Sequence, residues 1–139
     1  MNANTAIFWP MIAQTALIFS IYFLMSRRRI GAVRAGTAKP QDYRIPTIEP
    51  APSATVARNL INQFELPMLF YIVCILFNIT AGATWLALAV AWLFVASRCA
   101  HAYVHVTSNR LMVRRRLFMF GFACVVVLWV LFAVHIAFP

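Results

Sequence analysis

Acid is what this chain has least of. Only 3 of its 139 residues are Asp or Glu, against 12 Lys or Arg, and charged residues make up 11% of the chain while hydrophobic ones make up 63%. A water-soluble domain carries roughly a quarter of its residues as charges, so this composition excludes that class and defines an integral membrane protein. The 3 cysteines, Cys74, Cys99 and Cys124, each lie alone in an apolar segment. That placement excludes a disulfide framework and a zinc signature and leaves inert thiols. A chain this short makes one domain, residues 1–139, with little room to bury polar groups alone, so oligomerisation is expected. The net charge of +9 would point to nucleic acid in a soluble protein. Here the basic residues bracket apolar segments, which reads as membrane topology and headgroup contact, not nucleic-acid binding.

The apolar runs predict an all-α, four-helix transmembrane bundle. Thr5–Ser26 is uncharged and long enough to cross a hydrocarbon core, with Arg27-Arg28-Arg29 behind it. It lacks a basic leader region and reads as a retained helix over about 5–26 that contains Pro10 and Gln14. Residues 27–55 read as a solvent-side loop: Gly31, Gly36 and Pro40 interrupt it, while Ile45-Pro46 and Glu49-Pro50 favour extended backbone. Thr55 is placed to cap a second helix over about 56–78. The uncharged run Leu66–Ser97 would make a single helix about 48 Å long, beyond a ~30 Å core, so it must turn. Asn78–Thr84 supplies the turn. Further helices follow over about 84–109 and 117–138. With four spans, all of the 12 basic residues except Arg98 fall at one end, at the first and third connections. The positive-inside rule puts that end in the cytoplasm and both termini outside, with Trp9 and Trp85 as external anchors.

Against this background the stretch Arg58–Pro67 stands out. Arg58, Asn62 and Glu65 follow an i, i+4, i+7 pattern, one stripe of the second helix. Arg98, His101 and His105 form a matching stripe on the third, which Ser108 or Asn109 extends. Counted from membrane edges near Ala57 and Asn109, Glu65 and His101 each lie about 12 Å deep, with Asn62 level with His105. A carboxylate at such depth needs an answer, and intramembrane ionisable groups are functional-site candidates. One reading is helix–helix glue, Glu65 pairing with Arg98. A second is an anion site, because Arg58, Arg98 and Arg114 outnumber one carboxylate. A metal on His101 and His105 lacks further ligands and is opposed by the arginines, so none is assigned. His135 receives no role beyond the interface.

The pattern Arg58-x-x-x-Asn62-x-x-Glu65 with Pro67 beyond it resembles the MAPEG family, the membrane-associated proteins of eicosanoid and glutathione metabolism. Arg98-x-x-His101-x-x-x-His105 and the arginines before the fourth helix add to the resemblance, which covers most of the chain. It implies a homotrimer with glutathione between subunits near the cytoplasmic face. Arg58, Asn62, Glu65, Arg98, His101 and His105 would hold the tripeptide, and Arg114 or Arg116 would stabilise its thiolate as the catalytic cation. The implied activity is glutathione transfer to, or peroxide reduction on, a lipophilic electrophile that enters from the bilayer. Two departures stand against it. Phe118, Phe120 and Phe122 occupy the part of helix four where the family often has a tyrosine, and Ile61 replaces an arginine expected before the motif asparagine. The alternative is a non-catalytic membrane subunit or lipid-binding scaffold on the same frame.

Overall fold

Proline placement explains how the helices begin. The computed structural model describes residues 2–44 and 49–138, and within them α1 (Ala3–Ala6), α2 (Phe8–Arg34), α3 (Ala51–Asn62), α4 (Leu66–Ile79), α5 (Trp85–Val106) and α6 (Leu111–Ala137) follow in order, with a short 3-10 turn at Pro40–Tyr43. Pro10, Pro52 and Pro67 all sit in the first turn of α2, α3 and α4. There a missing N–H costs nothing, because first-turn amides have no intrahelical partner. α1 runs into α2 through Ile7, and α3 and α4 follow one another, so four stretches are long and apolar enough to cross a membrane: Ala3–Arg34, Ala51–Ile79, Trp85–Val106 and Leu111–Ala137. The extended backbone expected at Ile45-Pro46 lies outside the described residues.

Three boundaries differ from the sequence expectation. The first helix does not stop at Ser26 but continues to Arg34, since arginine is a good helix former and its long side chain carries the charge outward. It ends where Gly36 takes φ 71°, with Thr37 N–H donating to Ala32 O and Gly36 N–H to Val33 O, a Schellman stop. The loop is correspondingly shorter than 27–55. The fourth helix likewise begins at Leu111, so Arg114, Arg115 and Arg116 are helical. The second helix is not continuous: it starts at Ala51 and breaks between Asn62 and Leu66. Thr55 therefore lies inside α3 rather than at its cap. The Arg58–Asn62–Glu65 stripe loses its last member to the break, where Glu65 precedes α4 with non-helical backbone.

The turn at Asn78–Thr84 forms, and Thr84 caps α5 by accepting from Ala87 N–H at 3.1 Å. Here the positive φ, 55°, falls on Ala81, although Gly82 is its neighbour. Glycine is needed one residue later, because a Cβ on Gly82 would fall inside the His135 ring. The His135 Nε2 sits 3.3 Å from Thr80 O, so the histidine closes this end of α6 onto the turn. Asn4 ties the same turn to α1, accepting from Ala83 N–H at 2.8 Å while its carbonyl accepts from Asn78 at 2.9 Å.

α6 packs chiefly on α5, and α2 on α3. One apolar core joins Phe70, Phe77, Phe94, Leu128 and Phe132, with Phe70 and Phe94 stacked at 4.4 Å between centroids. A smaller one joins Ile21, Val56 and Ala102. The α5–α6 approach is set by Gly121, whose added Cβ would meet Ser97 Oγ at 2.7 Å. Gly121→Ala is therefore expected to destabilise by about 1–3 kcal/mol, as overpacking does. Adding Ser97→Ala removes the opposing oxygen and should restore most of the loss. Thermal unfolding of the two single variants and the double variant in detergent measures this, and strict additivity would refute the contact.

Basic residues of α2 also hold the fold. Arg28 donates from Nη1 to Thr55 Oγ1 at 3.1 Å and from Nη2 to Val106 O at 2.6 Å, answering a carbonyl left open at the end of α5. Arg29 grips Glu49 with both carboxylate oxygens, at 2.9 and 2.6 Å, and stacks on Tyr43 at 5.2 Å. That hydrogen bond from Arg29 is the largest influence on the Glu49 carboxyl and holds it below its ordinary value of 4.5, against the opposing effect of burial. A depressed carboxyl stabilises fully above its unfolded-state pKa, and the stabilisation is lost as pH falls through the folded-state value. The wild-type thermal midpoint should thus exceed that of Glu49→Gln at neutral pH. The gap should narrow as pH falls below the ordinary value of 4.5 and vanish once the folded-state carboxyl is protonated. A constant gap across the titration would show that the pair is not responsible.

Candidate functional site

At the basic end of the bundle the break in the second span creates a problem that one side chain solves. Ending α3 at Asn62 frees its carbonyl. Arg98 of α5 donates to it from Nη2 at 3.1 Å, with its guanidinium 5.9 Å from the centre of the Phe118 ring. Arg98 is fully buried, and its Nε and Nη1 have no partner among the described residues. Among the described residues the one ion pair is Arg29–Glu49. Glu65 and Arg98 do not form the ion pair that the glue reading required, and Arg98 answers backbone instead.

Two adjoining cavities flank this junction. One, of about 460 Å³, is lined by Thr55, Arg58, Asn62, His105, Asn109 and Arg114. The other, of about 380 Å³, is lined by Asn62, Glu65, His101, Arg114, Arg115 and Phe118, with Leu111 and Met112 at its side. Asn62 and Arg114 belong to both, so the two make a single cleft between α3, α5 and α6. Arg114 is fixed by donating from Nη1 to Asn109 Oδ1 at 2.7 Å, and Asn109 is itself in the left-handed region at φ 47°, which asparagine tolerates better than most residues. His101 and His105 are buried, with Nδ1 unpartnered on each ring. The cleft is thus rich in donors, with Glu65 as its one carboxylate.

Of the residues singled out from sequence, Arg58, Asn62, Glu65, His101, His105 and Arg114 line the cleft. Arg98 stands behind it as a buried brace, and Arg116 is exposed and lines neither cavity. Arg115 and Asn109 do line it. Asn109 was signalled as an extension of the helix-three stripe, whereas nothing in the spacing separates Arg115 from Arg116. A buried amide chain was also missed: Gln14 donates to Gln63 Oε1 at 3.0 Å, and Gln63 to Asn59 Oδ1 at 3.1 Å. It fastens the end of α3 to α2. Asn59 and Gln63 lie i, i+4, about 100° around the helix from Arg58 and Asn62, and that spacing is its sequence signal. Among the described residues no three His, Cys, Asp or Glu side chains gather as a metal site.

Four spanning helices and a polar cleft at one end define an integral, multi-pass membrane protein. Its lineage is equally plain: residues 7–134 match the MAPEG family, and the chain belongs to it. Comparison with curated proteins and with solved structures gave no match. Membership places the chain among membrane proteins of the eicosanoid and glutathione metabolism type.

Proposed function

We propose that the cleft binds glutathione and that the protein transfers it to, or uses it to reduce, a lipophilic electrophile. The observation that carries this reading is the cleft's lining, in which Arg58, Arg114, Arg115, Asn62, His101 and His105 converge around a single carboxylate. Glutathione carries two carboxylates, one ammonium and a thiol. Guanidinium forks suit the carboxylates and Glu65 the ammonium. The combined space of about 460 and about 380 Å³ is of the size that holds such a ligand. Family membership supports the same ligand.

Glutathione supplies the nucleophilic sulfur. Arg114, held in place by Asn109, would stabilise the thiolate by favouring loss of the thiol proton to solvent. Leu111 and Met112 are exposed beside Arg114 and would receive an apolar electrophile from the bilayer. We further propose a homotrimer, with the basic end in the cytoplasm and both termini outside it. A second reading, a binding scaffold without catalysis, is favoured by Phe118, which offers the cleft a ring without a hydroxyl.

Titration of the detergent-purified protein with glutathione, followed by heat and by thiolate ultraviolet absorbance, tests both. Heat with new thiolate absorbance supports the enzyme, and heat alone supports the scaffold. Neither signal would reduce the cleft to helix packing.

A further inference from the structure

A third cavity opens on another side of the bundle and shares no residue with the cleft. It is a crevice of about 200 Å³ between α2, α3 and α5, walled by Leu17, Ile21, Leu24, Asn59, Cys99 and Tyr103. Its walls are apolar apart from a few atoms, and they lie within segments that cross the membrane. Tyr103 and Cys99 are exposed at its rim, so it opens toward lipid. The volume suits a run of methylenes, not a helix about 10 Å across.

Two polar features mark its ends. Leu17, Ile21 and Leu24 follow one face of α2, and one turn further that face continues as Arg27 and Arg28. Arg28 reaches the crevice directly, since Val106, whose carbonyl it holds at 2.6 Å, is part of the wall. Arg27 is exposed and lies over the Phe23 ring, at 5.8 Å. Deeper in, Asn59 is fully buried and its Nδ2 has no acceptor among the described residues. An apolar slot with guanidinium at its mouth and an unanswered amide N–H in its wall matches one class of molecule.

We propose that this crevice is a binding site for an anionic phospholipid. One acyl chain lies along Leu17, Ile21 and Leu24, the phosphate rests on Arg27 and Arg28, and an ester carbonyl is available to Asn59. Arginine suits a phosphate because its planar fork meets two oxygens at once, and a juxtamembrane cation near an anionic headgroup adds binding energy that neutral lipid does not supply. The site is independent of the glutathione reading: it needs none of the cleft residues.

The cysteines supply a reporter, because Cys99 is exposed while Cys74 and Cys124 are buried. Protein in phosphatidylcholine nanodiscs, with and without phosphatidylglycerol, is analysed by native mass spectrometry for retained lipid and by N-ethylmaleimide for Cys99 labelling. Phosphatidylglycerol should be retained in preference to phosphatidylcholine, and Cys99 should label about fivefold more slowly in its presence, the factor expected of one arginine meeting an anionic headgroup. Arg27→Ala should remove that preference, and Leu24→Trp, which fills the slot, should abolish retention. Equal retention of both lipids, or retention unaffected by Leu24→Trp, overturns the proposal. So does Cys99 protection that follows oligomeric state regardless of lipid, which would mean that a second copy covers the crevice.

Discussion

Arg114→Ala is expected to lower glutathione-dependent turnover by about 10²–10³-fold at saturating glutathione, the usual cost of losing one preorganised donor to a developing anion. Arg116→Ala should leave turnover within about twofold, as exposed substitutions away from a site do. The contrast follows from placement. Arg114 lines both halves of the cleft and is held at 2.7 Å by Asn109, whereas Arg116 lines neither and is exposed. Steady-state assays with a lipophilic electrophile, at glutathione levels that saturate each variant, separate a loss in kcat from a loss in binding. A loss confined to KM would make Arg114 a carboxylate anchor rather than the thiolate cation. Equal effects of the two substitutions would remove the role altogether.

The second large effect is expected at Arg98. Its guanidinium is fully buried, holds Asn62 O and lies over Phe118. Arg98→Ala removes both contacts, leaves an orphan carbonyl at the helix break and opens a void. Losses of this kind cost about 3–5 kcal/mol. Arg98→Met refills the volume without the desolvated charge and should recover part of the stability but not the hydrogen bond to Asn62. Unfolding in detergent, monitored by circular dichroism, reads the stability. Glutathione titration of the methionine variant reads whether Asn62 is still presented to the cleft. An unchanged thermal midpoint in Arg98→Ala would show that the break stands without its brace.

Hydrophobicity made the four spans legible, because about 20 apolar residues in succession have few other physical uses. The turn at Asn78–Thr84 and the membership of most cleft residues followed from spacing. Helix ends did not follow, and the reason is specific. Charge at Arg27–Arg29 and Arg110–Arg116 marks where the hydrocarbon ends, but a helix has no cause to stop there. α2 stops instead at a backbone device, Gly36 in the left-handed region, and α6 starts just after Asn109. The break before Leu66 does not show in the hydrophobicity. Its one sign is Pro67, because proline prefers a helix's first turn and so marks a new helix beginning there. The Gln14–Gln63–Asn59 chain escaped because amides inside an apolar run look incidental until their partners on another helix are known.

The same break has a consequence for how this chain can change. In an uninterrupted helix, removing one residue turns everything beyond it by about 100°. Here the second span is two helices joined at Gln63–Glu65, and each half is fastened separately: α3 through Gln14, Arg28 and Arg98, α4 through the core around Phe70 and Phe77. The join can absorb a change of phase. A residue gained or lost at the join can then be taken up there, while Arg58 and Asn62 keep their aim.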